Sequence, residues 1–359
     1  MSAIHPYGPT AARKHGKPGR ELRPKSTTID IHSHVAVPAA AAIVQPHLDP
    51  SSIPLAHFST AETTRINQQQ QADRRARITG LDGGLADRLR DLDDMGIDLQ
   101  LVMPPPPQLY FTVPIEIAVK ATRIVNDGIA EYVARTPDRF VALGGVPLQD
   151  GNEAANELER CMKQLGFKGA EILTNVGGRE LSDPAFAPFW QKAEALGALV
   201  VIHPNGFTEA KRLTRFYFNN VIGNPFETAL ALHYLIFDGV LARHPTLKIL
   251  AVHGAGYLGG YSGRIDHAWG ARPDCRADFL LEPPTAYLKK IYVDSVVFTP
   301  HQLTHLVEVF GADHVLMGTD YPFDMGEYDP VGHVASVAAF DVKTRAAIAG
   351  GNAKRLLGI

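Results

Sequence analysis

The chain has 359 residues, with 35 Lys and Arg against 38 Asp and Glu and a net charge of −3 when histidine is neutral. That balance excludes a global electrostatic pull toward nucleic acid or an anionic membrane, and no apolar stretch approaches the roughly 18 residues of a membrane span. Cys161 and Cys275 are the only cysteines and form no CxxC, so the expectation is two free thiols in a cytoplasmic protein whose partner is a small molecule.

Residues 1–27 place Arg13, Lys14, Lys17, Arg20, Arg23 and Lys25 against one acid, Glu21, amid Pro and Gly, and read as a basic arm outside the core, a solvated tail. From residue 28 onward, short β-branched or apolar runs alternate with helical periodicity. The predicted strands are Thr28–His34, Leu99–Met103, Phe140–Val146, Gly169–Leu173, Leu199–His203, Lys248–His253, Lys290–Asp294 and His314–Thr319. Between them, Leu85, Leu89 and Leu92 share one face of a helical pattern over 85–95, and Ala155, Leu158 and Met162 share one over 151–165. A further helix is predicted around 225–237.

Eight strands separated by helices predict an α/β fold, either a (β/α)8 TIM barrel or an open doubly wound sheet; no GxGxxG follows a strand to favour a nucleotide-binding version of the latter. The polar residues favour the barrel. His32 and His34 end the first strand, His203 the fifth and His253 the sixth, and Asp320 follows the eighth. A closed barrel brings those ends to one face, where barrel enzymes place their chemistry. The organisation is therefore a single barrel domain over 28–359. The long segment 35–84, with Pro38, Pro46, Pro50, Pro54, the run Gln68–Gln71 and Arg74, Arg75 and Arg77, reads as a lid or substrate-binding insertion over the active site.

In Ile29-Asp30-Ile31-His32-Ser33-His34 the period-2 rule sends Ile29 and Ile31 to one side and Asp30, His32 and His34 to the other. Two imidazoles on one strand face reach a common ion. HxH alone is a weak pattern, and His203 alone would read as a hydrogen-bonded strand-end histidine; their matching strand-end positions with Asp320 make the set specific. His32, His34, His203 and Asp320 with a water form an N/O set suited to Zn2+, with Mn, Fe or Co also accepted. His253 is a further ligand or a general base, and the base role is favoured, because Gly254, Ala255 and Gly256 leave space beside it and an imidazole exchanges protons near neutral pH. Glu171 sits where a bridging ligand would lie if two metals were bound; a charged residue paired at the barrel edge is the plainer reading.

The chain resembles the amidohydrolase superfamily, in the branch typified by 2-amino-3-carboxymuconate 6-semialdehyde decarboxylase. The resemblance rests on IDIHSH at 29–34, GFKGAEILTNVGGREL at 166–181, VIHP at 201–204, NNVIGNPFETALAL at 219–232, HGAGYLGGYSGRIDHAWGARPD at 253–274, GTDYPFDMGE at 318–327 and GNAKRLLG at 351–358. It implies a barrel of the metal-dependent hydrolase type with one zinc per subunit on His32, His34, His203 and Asp320, and His253 acting on the water held there. It also implies a homodimer in which Arg264 and Arg272 reach the neighbouring subunit's site to bind a substrate carboxylate. Arg74, Arg75 and Arg77 are candidates for a clamp within the subunit. Asn205, a substrate-binding candidate, stands where the decarboxylase has an aromatic residue.

The expected activity is zinc-dependent, cofactor-free decarboxylation of a small unsaturated or aromatic carboxylic acid in aromatic-compound degradation. Two rivals use the same site: a hydrolase of an amide, lactone or C–C bond with Asp320 or His253 as base, and a hydratase. A non-catalytic binding module would predict missing ligands, and none is missing.

Overall fold

The computed structural model describes residues 19–359, so most of the basic arm lies outside the described residues. At the end of the arm a short helix, Gly19–Leu22, lies against the end of helix Gly84–Met95, and Arg23 pairs with Asp98, while Glu21, Arg23, Lys25, Ser26 and Thr27 stay exposed. The barrel strands are β1 (Ile29–His34), β2 (Leu99–Met103), β3 (Phe140–Ala142), β4 (Gly169–Leu173), β5 (Leu199–His203), β6 (Lys248–Ala251), β7 (Ile291–Asp294) and β8 (Val315–Leu316). Two strands stop earlier than their sequence pattern suggests. β6 ends before His253 because the chain turns through positive φ at His253, Gly254, Ala255 and Gly256. β8 ends at Leu316 because the following residues bend onto β1.

Neighbouring strands of the barrel are parallel. β3 continues after Leu143 into Gly144–Gly145, which pairs with β4, so β1-β2-β3 and the run from β4 to β8 form one surface. The ring closes between its first and last strands. Ile31 N–H donates to the Met317 carbonyl (2.9 Å), Asp320 N–H to that of His32 (2.8 Å) and His34 N–H to that of Tyr321 (2.8 Å). Closure removes the two free edges that an open sheet would expose.

Alternation along the strands divides the core in two. Ile29, Ile31, Leu101, Leu143, Val201 and Leu250 fill the barrel interior, closed at the bottom by Leu356 and Leu357 of the C-terminal helix. Val102, Ala170, Val200, Ile249 and Val293 face outward against helix residues such as Leu92, Val125, Leu158 and Leu232. Each large apolar side chain so buried contributes about 1.5–3 kcal/mol. That frame carries the strand ends at the opposite, upper mouth.

The segment 35–84 is helical rather than an open loop. Pro38, Pro50 and Pro54 each begin a short helical turn, where a missing N–H costs nothing. Helix Ala61–Thr79 follows, with the Thr60 hydroxyl accepting from Thr63 N–H and Gly80 closing it at φ 65°.

Candidate metal centre

The simple alternation of β1 fails at one point, and the failure builds the site. Asp30 does not join the histidines. Its carboxylate accepts from Gln100 Nε2 (2.7 Å) and Thr319 Oγ1 (2.6 Å), while Ile29 and Ile31 face the barrel interior. Burial raises the Asp30 pKa to about 6 against those hydrogen bonds, which lower it. The register of β1 against β2 slips between Asp30 and Ser33. Such a bulge re-aims side chains, and here it turns His32 inward after Ile31 and Ser33 outward. Ser33 and the His34 carbonyl then accept from Arg88 (2.9 and 2.8 Å), a fully buried guanidinium that also donates to Gln100 Oε1 (2.8 Å).

His32, His34, His203 and Asp320 converge, each offering one ligand atom within 4.8 Å of all the others. Each imidazole is oriented by its other nitrogen: His32 Nδ1 to Asp294 Oδ2 (2.7 Å), His34 Nδ1 to the Pro104 carbonyl (3.1 Å) and His203 Nδ1 to the Pro204 carbonyl (2.7 Å). A carbonyl only accepts, so His34 and His203 carry their protons on Nδ1 and present bare Nε2 atoms to the centre. The Nε2 atoms of His32 and His34 stand 3.3 Å apart, and 3.3 and 3.1 Å from Asp320 Oδ1. His203 Nε2, 4.0 Å from the same oxygen, is buried and has no hydrogen-bond partner. A buried unpaired acceptor costs about 1–3 kcal/mol. Three imidazole nitrogens and one carboxylate oxygen turned onto a common point fit a divalent cation, which would satisfy His203 and separate the facing lone pairs.

The electrostatics agree with that fit. Burial lowers the pKa of His34 and brings His203 down to about 3, so both are neutral ligands. Burial also opposes charge on His32, but the carboxylates of Asp320 and Asp294 outweigh it and raise its pKa. Asp320 is pushed upward by burial, yet the surrounding histidines hold it well below the usual carboxylate range.

His253 joins this group from the turn after β6. Its Nε2 lies 3.5 Å from Asp320 Oδ2, and its ring centroid 5.3 Å from that of His32 and 5.1 Å from that of His203. Unlike the ligands, its side chain keeps 18% of its exposure. His253 and Asp320 both sit at positive φ, 54° and 60°, a strain that clusters at functional sites. Gly256 makes the turn possible: a Cβ there would lie 2.0 Å from the Pro225 carbonyl oxygen.

The other candidate residues separate. Arg74 stands at the mouth, 4.8 Å above the ring of Phe323 and 3.2 Å from Asp324, and Phe323 packs on His34. Arg77 instead pairs with Asp91 (2.8 Å), and Arg75 is exposed. These two do not reach the centre, because the helix carries them to other faces than Arg74. Arg264 and Arg272 are exposed and outside their own chain's centre, Arg272 being held by Asp274. Asn205 lines a cavity beside His203. Glu171 is not paired at the barrel edge: it points into the barrel, is fully buried, and neither carboxylate oxygen has a partner. Burial and the Asp320 charge raise its pKa well above the ordinary value. Sequence reasoning missed Asp294 and Arg88. Asp294 had a readable signal, since it too ends a barrel strand; Arg88, inside an amphipathic helix, had none.

This fold and centre define a barrel enzyme with a site for one divalent cation at the upper mouth. The sequence profile of the amidohydrolase family matches residues 29–359, and the chain belongs to that family, in the branch that resembles 2-amino-3-carboxymuconate-6-semialdehyde decarboxylase. The Dictyostelium discoideum protein of that name is 36% identical over 76% of both chains. A gamma-resorcylate decarboxylase from Rhizobium radiobacter is 30% identical over 66% of this chain and 76% of its own. These relatives are carboxy-lyases. Among solved structures, the 5-carboxyvanillate decarboxylase of Novosphingobium aromaticivorans, complexed with manganese and 4-hydroxy-3-methoxy-5-nitrobenzoic acid, superposes with a TM-score of 0.81. It is 23% identical and covers 96% of this chain and 98% of that one, a likeness of fold. No helix among the described residues is long and apolar enough to cross a membrane.

Proposed function

We propose that this chain is a metal-dependent, cofactor-free decarboxylase of a small unsaturated or aromatic carboxylic acid in aromatic-ring degradation, working as a homodimer with one Zn2+ per subunit. The observation that carries the reading is the juxtaposition of the His32, His34, His203 and Asp320 cluster with a partly exposed His253, in a chain 36% and 30% identical to two decarboxylases. Zinc is preferred on the ligand types.

His32, His34, His203 and Asp320 would hold the metal, which would supply Lewis-acid chemistry when bound. The protein's own groups do the rest. Arg74, stacked over Phe323 at the mouth, and the partner's copies of the exposed Arg264 and Arg272 pair with the substrate's acidic groups in the bidentate manner open to a guanidinium. When the bond to the departing CO2 breaks, its electron pair stays on the carbon, which must take a proton. His253 stands beside the cluster to deliver that proton, and Asp320, held ionised, serves as a ligand rather than a proton donor. The insertion 35–84, carrying Arg74, closes over the bound acid.

The test is stoichiometric product analysis over a panel of hydroxybenzoates and unsaturated diacids. One CO2 released per acid consumed is expected; release of amine or a new acid without CO2 would replace this reading with a hydrolase, and water addition without CO2 with a hydratase. Sharing of arginines is checked by mixing inactive His253→Ala chains with inactive Arg264→Met chains. A mixed dimer rebuilds one intact site and regains activity if Arg264 acts across the interface, and stays inactive if it does not.

A further inference from the structure

Beside the metal centre lies a cavity of about 520 Å3, within the size range of small-molecule sites. Three of its walls continue directly from the groups that orient the ligands. Asn205 follows Pro204, which holds His203; Pro106 follows shortly after Pro104, which holds His34; and Leu173 pairs in register with His203. Pro106, Tyr110 and Phe111 form buried parts of the lining, and Ile53 and Phe58 come from the insertion. The side chains in the lining that carry charge near neutral pH, Glu209 and Lys211, are exposed, as is His57. The less exposed polar groups include the hydroxyls of Tyr110 and Thr174 and the amides of Asn175 and Asn205, all uncharged.

The walls are held by the motif at 219–227, which the chemistry at the metal does not use. Asn219 Nδ2 donates to the Pro54 carbonyl (2.8 Å) and its Oδ1 accepts from Phe207 N–H (2.8 Å), tying the insertion to the loop after β5. Asn224 Oδ1 accepts from Gly206 N–H (2.7 Å). Glu227, 3% exposed, accepts from Asn175 Nδ2 (2.6 Å) and Thr208 N–H (3.3 Å), tying the loops after β4 and β5. Gly206 lets the insertion approach, since a Cβ there would meet Leu55 N at 2.6 Å. Three buried side chains committed to fixing the walls make this a built space, because each hydrogen bond orders a loop at an entropic cost.

We infer that this cavity is a specificity subsite for a bulky neutral portion of the substrate, an aryl or alkyl group carrying at most one hydrogen-bonding oxygen for Asn175 or Asn205. Asn219, Asn224 and Glu227 are positioning residues that hold it open. The inference rests on the decarboxylase reading and narrows its substrate class from small unsaturated or aromatic acids in general to those with a second, uncharged group. The apolar part of the lining, Ile53, Phe58, Pro106, Tyr110 and Phe111, rewards such a group, and with no buried cation there the deeper part of the space favours it over a second carboxylate.

The experiment compares kcat/KM for a hydroxybenzoic acid with that for the same acid bearing a phenyl substituent, in the metal-loaded full-length enzyme. The wild type prefers the phenyl acid. In Thr112→Trp, which fills the cavity from its lining, and in Asn219→Ala, which frees the insertion, that preference falls by about tenfold or more, through KM rather than kcat. A wild-type preference for the unsubstituted acid, or equal losses on both acids, overturns the inference. If no acid releases CO2 the decarboxylase reading fails by itself, and calorimetry with 4-phenylphenol still decides the cavity: binding weakened by Thr112→Trp supports it, and binding absent or unaltered overturns it.

Discussion

The metal centre and the neighbouring cavity lie side by side at the barrel mouth but are held in different ways. The centre is anchored to strand ends, and each imidazole is locked by a carbonyl or carboxylate on its far nitrogen. The cavity is anchored to loops and an inserted helical segment, fixed by three side chains of one motif. Rigid strand ends suit chemistry, which tolerates little misplacement, whereas loops that can change without disturbing the strands suit discrimination among substrates. The difference implies that damage to the first region stops the reaction and damage to the second redirects it.

The strongest way to break that contrast is to remove a ligand. His203→Ala or Asp320→Ala should leave purified protein with metal at background by elemental analysis and with no measurable turnover; a variant retaining stoichiometric metal would show that the cluster is not the site. His253→Ala should keep its metal and lose turnover by about 10²–10⁴-fold, the span of a positioned proton donor. Full turnover with metal bound would remove His253 from the mechanism. Asp294→Asn, which weakens the support of His32, should lower metal affinity by about 10–100-fold in a chelator competition, and unchanged affinity would show that the orientation of His32 is set elsewhere. Arg88→Met should lower stability by about 1–3 kcal/mol in denaturant unfolding, since Gln100 Oε1, Ser33 Oγ and the His34 carbonyl lose their donor inside the core.

The smallest effect concerns the cavity strut and pH. Burial raises the pKa of Glu227 from 4.5 to about 7. Between those values the folded protein holds a proton that the unfolded chain has released, so this group makes stability fall as pH rises from about 4.5 to about 7, with no further change above. Glu227→Gln should flatten that part of the stability profile measured by denaturant titration. Equal slopes in the two proteins would show that Glu227 titrates normally.

Much of the centre was legible because its residue types recur at equivalent strand positions: His34 and His203 are each the last residue of a strand, and Asp320 comes shortly after the eighth. What supports them was not legible. Asp294 is 262 positions from His32 in the chain, and Arg88 reaches the end of β1 from a helix 54 positions away. The grouping of Asp30 with the histidines was a parity argument, and a bulge between Asp30 and Ser33 breaks parity without a local mark. Arg74, Arg75 and Arg77 were equivalent in sequence until the helix set their directions. Glu171 read as an edge residue because strand parity shows which residues share a face but not which face is the inside.

By itself, the amino-acid order determined an alternating strand and helix pattern and a set of metal-ligating residues at strand ends, since backbone periodicity and side-chain chemistry are properties of short stretches. Only the tertiary structure decided which imidazole nitrogen faces the centre, that Asp294 and Arg88 fix its geometry, and that a cavity whose charged lining residues are all exposed opens next to it. Those features depend on pairings across the closed barrel, and the register of such pairings is set by packing the whole ring at once.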